Sequence, residues 1–126
     1  MTVPSDQEFD IMISSAMETL PARDIENLQN VVITYADEPS EDQKNKLRLR
    51  GDSLLLGLYE GIPLTQRGAG YNLVLPDKIT LFKKPLLQYA LMKDTKLEEE
   101  VRHTLWHEIA HFYGLNHTDI HKRELH

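Results

Sequence analysis

Apolar residues near the N-terminus recur at the i, i+3 and i+4 spacing of one face of an α-helix. They are Phe9, Met12, Ile13, Ala16, Met17 and Leu20. Ser5 and Glu8 stand before them at the spacing of a capping box, in which each side chain bonds the other residue's backbone N–H. Pro21 follows, and proline cannot continue a helix. The pattern predicts an amphipathic helix over residues 5–20.

Three segments rich in β-branched, aromatic or leucine residues predict strands. They are VVITY at 31–35, LLLGLYEG at 54–61, which a glycine interrupts, and DKITLF at 77–82. A long polar connection with a turn of helix after Pro39 is expected between the first two. A glycine-punctuated loop at 61–72 precedes the third strand, and such loops often carry functional residues.

Two further helices are predicted in the last third of the chain. Pro85 suits the first turn of a packed helix that ends near Asp94. Thr95 and Glu98 have the capping-box spacing and predict the start of a longer helix. The apolar stripe of this second helix consists of Leu97, Val101, Leu105, Ile109 and Phe112.

Length and composition set the class of protein. A chain of 126 residues fits one domain, which we take as residues 1–126. Cysteine is absent, so disulfides and thiolate metal sites are excluded, and a metal would need His, Asp or Glu ligands. The net charge is −6, and the only basic cluster is KNKLRLR at 44–50. No nucleic-acid partner is therefore expected, since phosphate contacts need a basic face.

No membrane association is expected either, because no apolar run approaches the ~20 residues of a membrane span. The N-terminal segment MTVPSDQEFD lacks the apolar core of a secretory signal. A cytoplasmic location is the default expectation.

The segment HEIAHFYGLNH at 107–117 carries the candidate chemistry. Four residues of helix rotate by a net of about 40° and rise about 6 Å, so His107 and His111 project from the same side. Glu108 is rotated about 100° from His107 and can lie beside a metal without ligating it. Two imidazoles that hold zinc, with a glutamate beside the bound water, form a hydrolytic arrangement.

A third ligand requires the helix to end. On a continuous helix His117 would lie about 15 Å beyond His107, far more than a Zn–N bond of about 2.0–2.1 Å allows. Gly114 can take the left-handed conformation that terminates helices, after which His117 could turn back. Asp119 remains an alternative ligand or a carboxylate that orients an imidazole.

His103 offers a competing pair with His107, again at spacing four. His103 and His111 would lie about 12 Å apart along the axis, so all three cannot bind one ion. Because Thr104, not a glutamate, follows His103, we favour the pair His107 and His111. His103 is then a neighbour of the ligands or an exposed residue.

The motif resembles H-E-x-x-H-x-x-G-x-x-H of the metzincins, but the Met-turn that follows it in metzincins is missing, since every methionine lies upstream. A wider resemblance rests on the segments GLYEGIPLTQRG, LPDKITLFKKPLL and EEVRHTLWHEIAHFYGL. These resemble the minimal zincins, a family of small bacterial zinc metallopeptidases, over roughly residues 5 to 120. The resemblance implies an α+β zincin-like fold, a small mixed β-sheet packed against helices that include the H-E-x-x-H helix.

The same resemblance implies zinc on His107 and His111 and a catalytic base at Glu108. In the family the position of His117 is usually aspartate, so the histidine is a departure. The expected function is a zinc-dependent metallopeptidase-like hydrolase acting on a peptide or protein substrate. DKITLF at 77–82 is the strand expected to pair with an extended substrate, and the candidate oxyanion donors are Arg67, Tyr71 and Tyr113.

Two alternatives stay open. In a non-catalytic zinc-binding protein the metal would pin the C-terminal turn, and Glu108 would be dispensable. A metal-dependent endoribonuclease shares the H-x-x-x-H-x-x-G-x-x-H spacing, but such enzymes resemble this chain less, because they usually carry glycine where Glu108 stands.

Overall fold

A computed structural model describes residues 2–28, 30–47, 54–62 and 76–115. Within these ranges the chain forms five helices and three strands. In chain order they are α1 (Asp6–Glu18), α2 (Ala22–Ile25), β1 (Val31–Ala36), α3 (Glu41–Lys46), β2 (Gly57–Glu60), β3 (Asp77–Phe82), α4 (Lys83–Lys93) and α5 (Leu97–Phe112). The fold is α+β, as predicted. In the described ranges no helix has the length and apolar character that a membrane crossing requires.

The strands form a mixed sheet in the order β1-β3-β2. β1 runs parallel to β3, with Ile33 opposite Ile79, and β2 runs antiparallel to it, with Tyr59 opposite Ile79. The central strand is therefore DKITLF, and both of its edges are already paired. Our expectation that this strand pairs with a substrate is wrong. Within the described residues β2 pairs with β3 alone, so β2 presents the sheet edge nearest α5.

The capping box predicted for α1 is present. The Glu8 backbone N–H donates to Ser5 Oγ at 3.1 Å, and the Ser5 N–H donates to a Glu8 carboxylate oxygen at 3.1 Å. The apolar face of α1 packs on α5, and its buried Phe9 meets the Tyr35 ring edge-on with centroids 5.4 Å apart. The capping-box spacing thus predicted the start of α1, and the apolar periodicity predicted its buried face.

A buried lysine joins three elements. Lys83, at the start of α4, is 4% exposed. Its ammonium pairs with Asp6 at the start of α1 and lies 3.9 Å from Asp37, just after β1. The same ammonium lies 5.9 Å from the Phe9 ring centroid and 5.2 Å from that of Tyr35. This contact links α1, β1 and α4 in a way that the hydrophobic pattern did not indicate.

Helix α5 is the central helix, packed against α1, α4, β2 and β3. The whole predicted stripe is buried: Leu97, Val101, Leu105, Ile109 and Phe112. The predicted capping box at Thr95 and Glu98 is wrong. The N-cap is Lys96, without a side-chain cap bond, so Thr95 lies one residue too early. Its hydroxyl instead donates to Glu100 Oε1 at 2.8 Å.

The C-terminal end of α5 follows the prediction. Gly114 has a φ of 79°, in the left-handed region. The Gly114 N–H donates to the His111 carbonyl at 2.9 Å, and the Leu115 N–H donates to the Ala110 carbonyl at 3.0 Å. This pair of bonds is a Schellman motif, which satisfies the last carbonyls of a helix. The helix therefore ends before residue 117, as a third ligand there requires.

Other boundaries differ slightly from the prediction. β2 begins at Gly57, and residues 54–56 before it are not part of a strand. The expected turn of helix after Pro39 is α3, which has a capping box between Ser40 and Gln43. Most of the predicted loop at 61–72 lies outside the described residues. α4 ends at Lys93, and its C-cap Asp94 has a φ of 55°, in the left-handed region.

Candidate metal and active site

His107, Glu108 and His111 come together on α5. One nitrogen or carboxylate oxygen from each lies within 4.8 Å of the others. The two imidazole rings are 4.9 Å apart between centroids and inclined at 69°. Both histidines are half-buried, whereas Glu108 is 8% exposed. The geometry predicted from the helix spacing is therefore confirmed, since the two imidazoles lie on the same side of α5 and the Glu108 carboxylate lies next to them.

This donor set fits zinc. Imidazole nitrogen is a preferred zinc ligand, and two ligands of a tetrahedral ion with bonds of about 2.0–2.1 Å lie about 3.4 Å apart. One ligand atom from each of His107, Glu108 and His111 lies within 4.8 Å of the others, so both imidazoles can contact one ion. No cysteine is present, so the candidate site contains no soft sulfur ligand.

Glu108 is held by a backbone donor from the sheet. The Tyr59 N–H donates to Glu108 Oε1 at 2.9 Å. Burial raises the pKa of the Glu108 carboxyl to about 7, although the Tyr59 hydrogen bond acts in the opposite direction. A carboxyl with a pKa near neutrality is suited to exchange protons with a reacting group at physiological pH.

Tyr59 is itself held at both ends. Its hydroxyl lies 2.6 Å from a carboxylate oxygen of Asp77, to which it donates, and its ring meets that of Phe112 at 6.1 Å between centroids. Asp77 is buried. Gly61 leaves room for its carboxylate, because a Cβ at position 61 would clash with the Asp77 carboxyl group. These contacts fix the backbone whose N–H holds Glu108.

Gly57 brings β2 unusually close to α5. A Cβ at this position would lie 2.7 Å from Thr104 Cγ2, 3.2 Å from Leu81 Cδ2 and 3.3 Å from Glu108 Cγ. The first distance is shorter than real Cβ contacts allow. Glycine is therefore needed here for space, and the close approach is what lets Tyr59 reach Glu108.

A cavity of about 530 Å³ opens beside the candidate metal site. The described residues that line it are Leu55, Leu56, Gly57, Tyr89, Glu100, His103, Thr104, His107 and Glu108. His103 is exposed and forms part of this wall, one helical turn from His107. It is not part of the cluster formed by His107, Glu108 and His111.

Of the remaining candidate residues, the structure describes Tyr113 alone. The Tyr113 hydroxyl donates to the Asp24 backbone carbonyl at 2.7 Å, so it joins α5 to α2. Burial raises the pKa of this tyrosine. The candidates that lie outside the described residues are Arg67, Tyr71, His117 and Asp119.

Fold and site together define a class: a small α+β protein whose sheet-packed helix carries an H-E-x-x-H sequence and is terminated at a glycine. The family of zincin-like metallopeptidases matches residues 28–126. The chain therefore belongs to that family, which confirms the resemblance seen in its motifs.

Among solved structures, a conserved hypothetical protein from Thermo thermophilus is similar, with a TM-score of 0.56 and 23% sequence identity. The match covers 85% of this chain and 92% of that one. At this identity the similarity concerns the fold alone. No curated protein matches the chain.

Sequence reasoning missed the contribution of β2 to the site. The signal was the spacing of Gly57, Tyr59 and Gly61, because residues two apart lie on the same face of a strand. Two glycines that flank a tyrosine on one face indicate that another element packs closely against this face and that the tyrosine ring is held there. The essential contact, however, is a backbone N–H, which no side-chain motif reports.

Proposed function

We propose that this protein is a zinc-dependent peptidase that uses Glu108 as a general base. In this proposal His107 and His111 hold the zinc, and His117 is the third ligand. The observation that supports the proposal best is the buried Glu108 carboxylate, held by the Tyr59 N–H beside two imidazoles on the same helix. Membership of the zincin-like family supports the same chemistry.

Zinc bound here would supply Lewis acidity, polarising a substrate carbonyl and making a water molecule more acidic. Glu108 would take the proton from the attacking water and later deliver it to the leaving amine nitrogen. Its Oε1 is occupied by the Tyr59 N–H, so the proton would be carried by Oε2. The low exposure of Glu108 keeps bulk water from competing for that proton.

The substrate is proposed to be an extended peptide that lies along β2. The Tyr59 N–H points away from β3, since it bonds Glu108 on α5. The edge of β2 that no described strand covers therefore faces the same side as the candidate active site. An extended chain added to a sheet edge gains backbone hydrogen bonds, with alternate side chains directed into pockets. A peptide bound in this way would have its backbone beside Glu108.

The test is cleavage of a mixed peptide library by zinc-loaded protein, with products identified by mass spectrometry. Glu108→Gln keeps an oxygen acceptor for the Tyr59 N–H but cannot take a proton. We expect this variant to retain its zinc and to lose at least about 100-fold in cleavage rate. Glu98→Gln, an exposed change on the same helix, is the matched control and should cleave like the wild type.

Equal cleavage by Glu108→Gln would overturn the assigned base. Zinc binding without any cleavage, in the wild type as well, would favour the non-catalytic zinc protein. Cleavage of RNA in place of peptides would favour the endoribonuclease.

The ligand assignment has its own test by metal analysis. His107→Ala and His111→Ala should each strongly weaken zinc binding, whereas His103→Ala should leave the zinc content unchanged. The comparison of His117→Ala with Asp119→Ala identifies the third ligand. Loss of zinc in the Asp119 variant alone would contradict the assignment of His117.

A further inference from the structure

The cavity beside the candidate metal site extends along α5 from His107 past His103 towards the start of the helix. Glu108, Thr104 and Glu100 line it at successive intervals of four residues, so they follow one side of the helix. Glu100 stands seven residues before His107, which corresponds to about 10 Å along the axis. The cavity thus connects the candidate metal site with a second carboxylate that the proposed hydrolysis does not use.

Glu100 is an unusual wall residue because it is only 7% exposed. Its Oε1 accepts a hydrogen bond from the Thr95 hydroxyl at 2.8 Å. Among the described residues, no lysine or arginine forms an ion pair with it. A buried carboxylate normally has a cationic partner, since burial of an uncompensated charge is costly. The cavity is the place from which such a partner could come.

The other walls suit a long aliphatic stem. Leu55 and Leu56 precede β2, and Tyr89 comes from α4. No lysine or arginine belongs to the described lining. Lys93 is exposed and holds its ammonium 5.7 Å from the Tyr89 ring centroid, so this ring already has a cation beside it. On α5 the wall also includes His103 and Thr104. The apolar contacts from Leu55, Leu56 and Tyr89, next to a carboxylate, match a side chain with an aliphatic stem and a charged tip.

We propose that this cavity is a specificity subsite for a lysine or arginine side chain of the substrate, with Glu100 as its counter-ion. The proposal rests on the proposed peptidase function, because the cavity begins at Glu108 and His107. One residue of an extended peptide advances only ~3.3 Å. A residue next to the scissile bond stays close to the candidate metal site, so it needs a long side chain to reach Glu100, about 10 Å along the helix. Short basic side chains, such as 2,3-diaminopropionic acid, should be poor ligands.

Binding can be measured without hydrolysis. The probes are two pairs of short peptide hydroxamates, whose hydroxamate group chelates zinc. The two probes of each pair differ at one residue, which is lysine in one probe and norleucine, which lacks the ammonium group, in the other. In one pair the varied residue precedes the hydroxamate, and in the other it follows a malonyl hydroxamate. Calorimetry with zinc-loaded wild type should show at least tenfold tighter binding of the lysine probe in one pair, as a desolvated charged hydrogen bond predicts.

Glu100→Gln keeps an acceptor for Thr95 and removes only the charge. It should reduce the lysine preference to less than about threefold, whereas Glu99→Gln, exposed on the same turn, should preserve it. Circular dichroism and melting curves of both variants establish that they fold. A norleucine preference in the wild type, a lysine preference that survives Glu100→Gln, or no binding of any probe would overturn the subsite.

Failure of the subsite is distinguishable from failure of the proposed function. If the wild type cleaves library peptides without favouring lysine or arginine beside the cleaved bond, only the subsite is wrong. If the hydroxamates bind with the expected preference but no peptide is cleaved, the subsite stands and the peptidase function is wrong.

Discussion

The close approach of β2 to α5 gives the most specific prediction. Gly57→Ala places a methyl group 2.7 Å from Thr104 Cγ2 and 3.3 Å from Glu108 Cγ. Gly57 does not have a positive φ, so backbone strain is not the issue and only space decides. To relieve the first contact to an ordinary distance, β2 must move away from α5 by several tenths of an ångström or more. Tyr59 would move with it, and its 2.9 Å bond to Glu108 would lengthen.

The expected cost follows from overpacking. Added methyl groups in well-packed sites typically destabilise by about 1–3 kcal/mol, and we expect about 2 kcal/mol here. Peptide cleavage should fall by about tenfold or more, since misplacement of a catalytic group by about 1 Å can cost about 100-fold. Elsewhere, glycine to alanine often stabilises by about 0.4–1 kcal/mol through the unfolded chain. Whether Gly57→Ala lowers or raises the free energy of unfolding therefore tests the close contact between Gly57 and Thr104.

A double-mutant cycle assigns the effect to its source. Thr104→Ser removes only Cγ2, the atom that the new methyl group meets. The free energies of unfolding from urea denaturation should show that Gly57→Ala costs at least about 1 kcal/mol less in the Thr104→Ser background. Additive effects, or a Gly57→Ala protein more stable than the wild type, would refute the argument.

Two further predictions concern charge burial. In metal-free protein, burial raises the pKa of Glu108 to about 7 against an ordinary 4.5, so the contribution of Glu108 to stability should fall as pH rises from about 4.5 to 7. Glu108→Gln removes this dependence. Urea denaturation in the presence of a chelator should find the variant more stable than the wild type by up to about 3 kcal/mol at pH 8, but by less than about 1 kcal/mol at pH 5. Equal pH profiles of the two proteins would contradict the burial of the charge. Asp6→Asn removes a partner of buried Lys83 and should cost about 1–2 kcal/mol in thermal or urea unfolding. The control is Asp42→Asn, which changes an exposed acid in the first turn of α3 and should alter stability by less than about 0.5 kcal/mol. Similar effects of the two substitutions would contradict a stabilising contact between Asp6 and Lys83.

Local patterns predicted the helices that build the site. The buried stripe of α5 and the capping box of α1 depend on residues three and four apart, so the sequence alone contains them. The end of α5 was predictable for a different reason, because Gly114 is a residue that readily takes a positive φ. The face shared by His107 and His111 followed from helix geometry.

Non-local relations were harder to predict. The alternation in DKITLF indicated a strand but not its neighbours, and pairing on both sides decides that it is central. One local pattern also failed, since the true N-cap of α5 is Lys96, one residue after Thr95. The hydrogen bond from the Tyr59 backbone N–H to Glu108 joins positions 49 residues apart, so only the fold reveals it.

The central claim is that His107 and His111 hold a catalytic zinc beside Glu108. A crystal structure of the zinc-loaded protein tests this claim most directly. We predict three protein ligands, His107, His111 and His117, with bonds of about 2.0–2.1 Å, and a water in the remaining position within hydrogen-bonding distance of Glu108. A fourth protein ligand that closes the site, or a zinc bound away from His107 and His111, would contradict it.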